Sequence, residues 1–330
     1  MITKRIMVPT GDILIVNGDK GKLECLSLGD YGKDKNIKAD FMGLSREING
    51  VAHQEMLPLE EKWVITISTQ YGCGMGCSFC DVPKVGPGLN ATLDDLVLQI
   101  LEARLLHPEV TGSDRVNIHF ARMGEPSFNP NVLTAAMLAK DMLGKRFRVH
   151  PVVSTMMPRR NRNLRNFLKY WMEIKNKTFQ GEAGLQLSIN TTNETDRQRM
   201  FGMNALMLDE ISDLMRSIVA YVVGRKIALN FAITDNTVVD GERLARLFDP
   251  GKYMCKITPM HRTQACENSG ISTPDGYEYY HPYRRIEKNL KAAGFDVLVF
   301  VPSIEEDQSR ITCGNAVLSD IARYGQEKGE

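Results

Sequence analysis

The chain has no apolar run approaching the 18 or so residues that a membrane-crossing helix needs, so no transmembrane span is expected. It has no apolar leader either. Met1-Ile2-Thr3-Lys4-Arg5 leads into Pro9 and Gly11 rather than into a signal segment, and the expected location is cytoplasmic. Neither sign of charge is in excess. The 41 Lys and Arg against 40 Asp and Glu give a net charge of +1, which excludes a heavily basic nucleic-acid coat protein and leaves room for a local basic cleft. No internal repeat or long low-complexity tract is present. An even cysteine count is also missing. Of the seven cysteines (Cys25, Cys73, Cys77, Cys80, Cys255, Cys266 and Cys313), three fall within eight residues. In an intracellular chain that distribution reads as metal-binding or catalytic before it reads as disulfide-bonded.

What is present is a soluble globular composition, 43% hydrophobic and 25% charged over 330 residues. That length supports about two domain equivalents and a sizeable core without disulfide staples. Residues 1–60 read as a small β-containing extension: a strand over Ile13–Val16, a turn at Asn17-Gly18 and a return strand over Leu23–Leu28. From residue 61 to 330 strands and helices alternate. Strands are expected over 63–68, 116–121, 149–154, 184–190, 227–233, 255–258 and 297–301. Helices are expected over 93–105, 131–143, 163–173, 205–223, 241–248 and 286–293. Thr92 is placed to cap the first of these, ahead of Asp94 and Asp95. Alternation of this kind implies a mostly parallel sheet. Some six units fall short of a closed eight-unit barrel, so the expected fold is α/β, a partial (β/α)6 TIM-like barrel. In such folds the residues just after each strand carry the chemistry.

Directly after the first of these strands comes Cys73-Gly74-Met75-Gly76-Cys77-Ser78-Phe79-Cys80. Three thiolates so close together can hold one face of a metal cluster, and the glycines let the backbone wrap it. A structural zinc site would want a fourth ligand, and the nearest histidines, His53 and His107, are about 20 residues or more away. Zinc binding or loosely grouped structural thiols remain the alternatives.

The C-x3-C-x2-C spacing, with an aromatic before the last cysteine, resembles the signature of radical S-adenosylmethionine enzymes. The resemblance implies a [4Fe-4S] cluster on Cys73, Cys77 and Cys80, with one iron left open for S-adenosyl-L-methionine. It implies cofactor contacts from Phe79, from Gly124 and Glu125 after the second strand, and from Ser154 after the third. Ser188, Ile189 and Asn190 after the fourth strand and His261 after the sixth complete that set. It also implies an external electron donor, flavodoxin- or ferredoxin-like.

Ser68–Cys73, Met123–Pro126, Leu187–Asn190 with Asn193, Arg197 and Asn204, Cys255–Ile257, and Thr312-Cys313-Gly314 together resemble one branch, the enzymes that methylate C2 or C8 of an adenosine in 23S ribosomal RNA. By that resemblance Cys313, in a C-terminal loop, carries a methyl group to an sp2 carbon of the base, and His53 or Glu55 accepts a proton. The sequence departs from the branch at Thr66, where a second cysteine resolves the covalent adduct, and at Asn190 and His261. Cys25, Cys255 and Cys266 are the remaining thiols that could replace it. These departures keep a second reading open, in which the 5′-deoxyadenosyl radical takes hydrogen directly from a non-RNA, small-molecule or protein substrate. A non-enzymatic metal-binding module is the third. For RNA, the dense basic stretch Arg146, Arg148, Arg159, Arg160, Arg162, Arg165 and Lys169 is the candidate surface, with Arg284, Arg285 and Lys288 beside four tyrosines as a smaller one. No membrane partner is expected, and the sequence leaves the oligomeric state open.

Overall fold

The computed structural model describes residues 1–8, 10–30, 47–48, 51–52, 56–273, 281–302, 310–311 and 317–320. One ten-stranded sheet dominates. Its strands are β1 (Ile2–Val8), β2 (Gly11–Gly18), β3 (Gly21–Gly29), β4 (Trp63–Ile67), β5 (Ser113–Phe120), β6 (Phe147–Thr155), β7 (Gly184–Ser188), β8 (Ile227–Ile233), β9 (Tyr253–Pro259) and β10 (Asp296–Val299), paired in that order. From β4 to β10 every pairing is parallel. The intervening helices are α1 (Leu93–Leu105), α2 (Asn131–Leu143), α3 (Leu164–Glu173), α4 (Glu194–Met200), α5 (Leu208–Ile218), α6 (Gly241–Leu247), α7 (Gln264–Asn268) and α8 (His281–Ala292). This is the expected partial barrel: six βα units and a seventh parallel strand. β1, β2 and β3 continue the same sheet as an antiparallel meander, with Leu26 opposite Thr66.

The strands alternate residue by residue, because successive side chains point to opposite faces. Trp63, Ile65 and Ile67 of β4 and Val116, Ile118 and Phe120 of β5 face the helices, where Leu96, Ile100, Ala135, Leu168 and Trp171 bury them. Asn117, His119, Gln186 and Lys256 face the other way and line a cavity of about 960 Å³ on the concave side.

Several boundaries differ from the sequence expectation. The hairpin turns at Asp19-Lys20, not Asn17-Gly18, because Gly18 pairs with Gly21. The turn amides are taken by buried groups: Asp19 N donates to Asp95 Oδ1 (2.8 Å) and Lys20 N to the Tyr71 hydroxyl (3.1 Å). The helix expected over 205–223 is confined to Leu208–Ile218. Ala205 is held in a β-bridge to Pro158, and Glu210 closes a cap on the Met207 amide (2.7 Å). Gly224 turns the chain at φ +62° before β8. The last helix begins at His281, earlier than residue 286. The capping of α1 is as expected, since Thr92 accepts from Asp95 N and Asp95 from Thr92 N.

Candidate active site

The cysteine loop leaves the carboxyl end of β4 and is pinned at its base by a two-strand ribbon, Gln70–Gly72 against Pro87–Asn90. Gly72 is obligatory there: its φ is +78°, and a Cβ would lie 2.0 Å from Gly86 O. Gln70 joins the ribbon to the loop after β5. Its Nε2 donates to Gly88 O and Asn90 Oδ1 (both 2.8 Å), and its Oε1 accepts from Glu125 N (2.9 Å). Asn129 adds two bonds, to Thr69 O and Ala91 O. Gly124, at φ +93°, has no room for a Cβ, which would meet Gln70 Cβ at 2.5 Å.

Glu125 is buried. One carboxylate oxygen accepts from Ser127 N (3.0 Å) and the other from Met156 N (2.8 Å), and burial raises its pKa. The residue therefore caps the turn Pro126–Phe128 and also lies close enough to Cys73 and Cys77 to act on them electrostatically. The thiol of Cys73 is pushed up to about 11, chiefly by burial, and that of Cys77 well above the ordinary thiol value by burial and by Cys73. Cys77 Sγ approaches Met156 Sδ at 3.1 Å. Phe79 stacks edge-on against Phe201 at 5.8 Å, and Arg197 lies over the same Phe201 ring at 4.8 Å. Arg197 is wholly buried; Nη2 donates to Ser188 O (3.0 Å), while Nε and Nη1 have no partner among the described residues.

The remaining cofactor candidates differ in what they can offer. Ser154 lies on the concave side, where its hydroxyl donates to Gln186 Oε1 (3.3 Å). Ser188 contributes its carbonyl to Arg197. Ile189 packs in the helix-facing core, and its backbone is engaged too, N donating to Asn230 O (2.8 Å) and O accepting from Thr191 N (2.9 Å). Asn190 sits at φ +64° and spends its Oδ1 on Ala232 N (3.2 Å). His261 is half-buried, and its carbonyl accepts from Cys266 Sγ. Cys313, His53 and Glu55 lie outside the described residues. His107 stacks on Trp63 (5.4 Å) at the opposite end of β4. Asn230 escaped the sequence reading. Its Nδ2 donates to Gln186 Oε1 (2.7 Å), and its buried Oδ1 has no partner among the described residues. Its signal was the strand alternation, a polar residue between Leu229 and Phe231.

Among the described residues no three His, Cys, Asp or Glu side chains converge on one metal ion. Cluster ligation does not require that, because each thiolate binds a different iron. The local chemistry fits such a group. Cys73 and Cys77 are desolvated and Cys73 acts on Cys77 electrostatically, a Cβ on Gly76 would meet nothing within 4 Å, and a buried guanidinium with two donors unpartnered among the described residues stands close enough to Cys77 to act on it.

No protein-family model matches the chain. Curated relatives do. The dual-specificity RNA methyltransferase RlmN of Sorangium cellulosum is 23% identical over 257 residues, 76% of this chain and 61% of its own length. The RlmN of Dichelobacter nodosus is 34% identical over 83 residues, 24% of this chain and 23% of its own. The ribosomal RNA large subunit methyltransferase Cfr of Lachnoclostridium phytofermentans is 39% identical over 75 residues, 23% of this chain and 20% of its own. The chain resembles the radical S-adenosylmethionine superfamily, and within it the RlmN/Cfr branch. Its matches span about a fifth to three fifths of the length of these RlmN and Cfr relatives. In fold it is similar to a radical SAM methyltransferase from Sphaerobacter thermophilus, with a TM-score of 0.66, 19% identity, and coverage of 96% of this chain and 81% of that one. No helix among the described residues is long and apolar enough to cross a membrane.

The basic stretch of the sequence divides in space. Arg146 and Arg148 flank the start of β6, whereas Arg159, Arg160, Arg162, Arg165 and Lys169 follow its end, about 25 Å away along the strand. Arg159 is held by Glu210 in a two-pronged pair (2.8 and 2.7 Å); the others on that side are exposed. Cys25 and Cys255 face the helices, and burial pushes both thiols up, Cys255 to about 12. Cys266 packs against Phe79 O (3.6 Å). None of the six described cysteines lines the cavity, and Thr66 does.

Proposed function

We propose that this chain is a radical S-adenosylmethionine enzyme that transfers a methyl-derived carbon to an sp2 carbon of an adenosine in RNA, with Cys313 as the methyl carrier. The observation that carries the reading is the three-thiol loop at the carboxyl end of the first parallel strand, tied through Gln70 to Gly124-Glu125. When bound, the [4Fe-4S] cluster would supply one electron, and two molecules of S-adenosyl-L-methionine would supply, one a methyl group and the other a 5′-deoxyadenosyl radical. The chain's own residues would do the rest. Cys73, Cys77 and Cys80 would hold the cluster. Gly124 offers bare backbone. Glu125 accepts from an ammonium group with the lone pairs its two backbone donors leave over. Ser154, Ser188, Asn190 and His261 line the same rim, with Phe79 as an aromatic wall. His53 or Glu55 takes the proton from the base. The exposed Arg160, Arg162, Arg165 and Lys169 beside that rim would neutralise phosphates. A flavodoxin- or ferredoxin-like donor would reduce the cluster.

The test is anaerobic reconstitution with cofactor labelled in its methyl group, followed by mass spectrometry of the Cys313 peptide. A labelled methyl on Cys313 is expected. An unmodified Cys313 in protein that still makes 5′-deoxyadenosine overturns the methyl-carrier step. A second reading, direct hydrogen abstraction from a non-RNA substrate, is favoured by one observation: Thr66 lines a cavity that no described cysteine reaches. Deuterium recovered in 5′-deoxyadenosine from a labelled Cys313 methyl excludes it; deuterium recovered from the substrate upholds it.

A further inference from the structure

The cavity inside the barrel has an end that the cluster chemistry does not use. Its upper part, near Ala121, lies toward the cysteine loop. Its lower part begins at Arg115, six residues earlier on β5 and therefore about 20 Å away. Three of the cations around the cavity already have acidic partners: Lys62 with Asp30 (2.6 Å), Lys226 with Asp296 (2.7 Å) and Arg122 with Glu24. Arg115 and Arg225 are different. Arg225 stands just before β8, and its Nη1 donates to the backbone carbonyl of Glu182 (3.2 Å). β7 opens with Gly184 beside it, where a Cβ would be crowded by a Val152 methyl (3.1 Å) and would lie in ordinary contact with that same Nη1 (3.4 Å). Arg115 donates from Nε to Asn117 Oδ1 (3.1 Å).

Glu182 is the carboxylate common to both arginines, and it also faces His150 (3.1 Å) and the buried Lys175. Burial dominates the shifts of the groups here, and neighbouring cations add to it. Burial, then Arg115, lowers Arg225 to about 10. Burial, then Lys256 and Arg225, lowers His119 to about 3, and burial, then Arg115, lowers His150 to about 4. Both imidazoles are thus neutral near pH 7 and add no charge of their own.

We propose that this end of the cavity, between Arg115 and Arg225, is an anion subsite that takes a phosphate group of the molecule occupying the barrel. Arginine forks match the spread oxygens of phosphate, and several oxygens allow one group to bridge two guanidiniums where a carboxylate would satisfy one. The separation of about 20 Å from the upper rim makes the occupant elongated, anchored at the bottom and presented to the cysteine loop at the top. The inference does not rest on the proposed methyl transfer.

Calorimetric titration of the full chain with inorganic phosphate, at constant ionic strength in chloride, tests it. Saturable binding is expected, weakened at least tenfold in Arg225→Gln and in Arg115→Gln, and unchanged in the surface control Arg216→Gln. Arg225→Lys and Arg115→Lys keep the charge and remove the fork; they should also bind more weakly, and they serve if the glutamine variants do not fold. AMP displaces phosphate, and adenosine does not, if the group belongs to a nucleotide. Displacement by pyrophosphate but not by AMP assigns it to a free oligophosphate. Absence of saturable binding, equal binding by acetate, or binding indifferent to all four arginine variants overturns the subsite. No iron or cofactor is read, so failure here leaves the proposed function standing.

Discussion

The two ends of the barrel are held by opposite kinds of interaction. At the carboxyl rim the network around Gln70, Asn129 and Glu125 is built mostly of neutral amides and backbone donors, each of these satisfied. Gln70 and Asn129 stitch the ribbon to the second loop, and even the Glu125 carboxylate accepts two backbone N–H groups. At the opposite end charged side chains crowd together, and two guanidiniums share one carboxylate. A network in which every member is paired fixes one geometry; a cluster with surplus like charge leaves an interaction for something else to complete. The upper rim is thus built to hold thiols in place, and the lower cavity is built to attract.

The largest effect should come from the upper rim. Cys77→Ala is expected to abolish retention of iron and sulfide on anaerobic reconstitution, while leaving the melting temperature of the iron-free protein close to that of the parent. Retention of full iron content would break the assignment of the loop. Next comes the strut between the meander and the barrel. Arg122 and Glu24 are almost wholly buried, and Arg122 also donates to Arg310 O (2.8 Å). Removing one member strands a buried charge, so Arg122→Ala should cost about 3–5 kcal/mol in urea unfolding. A loss under 1 kcal/mol would show that the meander does not depend on it.

The lower cavity should reveal itself through pH. His150 titrates at about 4 in the folded chain, lowered by burial and by Arg115 and Arg225 against Glu182. Its unfolded value is about 6.5, so between those values the unfolded chain binds a proton that the folded one refuses. Stability therefore falls on acidification, by about 2 kcal/mol from this group at pH 5. His150→Asn should flatten that part of the pH 7 to pH 5 difference; an unaltered slope would mean that the lower end is better solvated than its packing implies.

How much of this could be read in advance depends on whether the signal was local. The helix capped by Thr92 was legible because cap and period lie together in the chain. So was β8, bounded as expected by Ile227 and Ile233. β1 was not: Ile2–Val8 is an edge strand with most of its side chains in water, so it carries no apolar alternation. The Asn17-Gly18 turn failed because Asp95, more than 70 residues away, takes the turn amide. The three cysteines and Gly124-Glu125 announce themselves by spacing. Arg115 and Arg225 are far apart in the chain and share no motif; only the parallel register from β5 to β8 brings them to one end of the cavity.

The smallest expected change in stability is also the one that sharpens the comparison most, because Asn230 sits between the two regimes. It belongs to the satisfied set through its bond to Gln186, which also receives Ser154, and to the unsatisfied set through its buried, partnerless Oδ1. Asn230→Ala removes one neutral bond, whose acceptor Gln186 Oε1 keeps the Ser154 hydroxyl as a donor, so it should shift unfolding by about 1 kcal/mol or under. If Oδ1 is kept for a donor on a molecule in the barrel, the same substitution should weaken equilibrium binding of S-adenosyl-L-methionine by about tenfold, one charge-neutral hydrogen bond's worth. Asn230→Asp, which keeps an acceptor, should retain more of that affinity than the alanine variant. Unchanged affinity in both would place Asn230 with the scaffold, and the boundary between the holding rim and the attracting cavity would then lie above β8's midpoint.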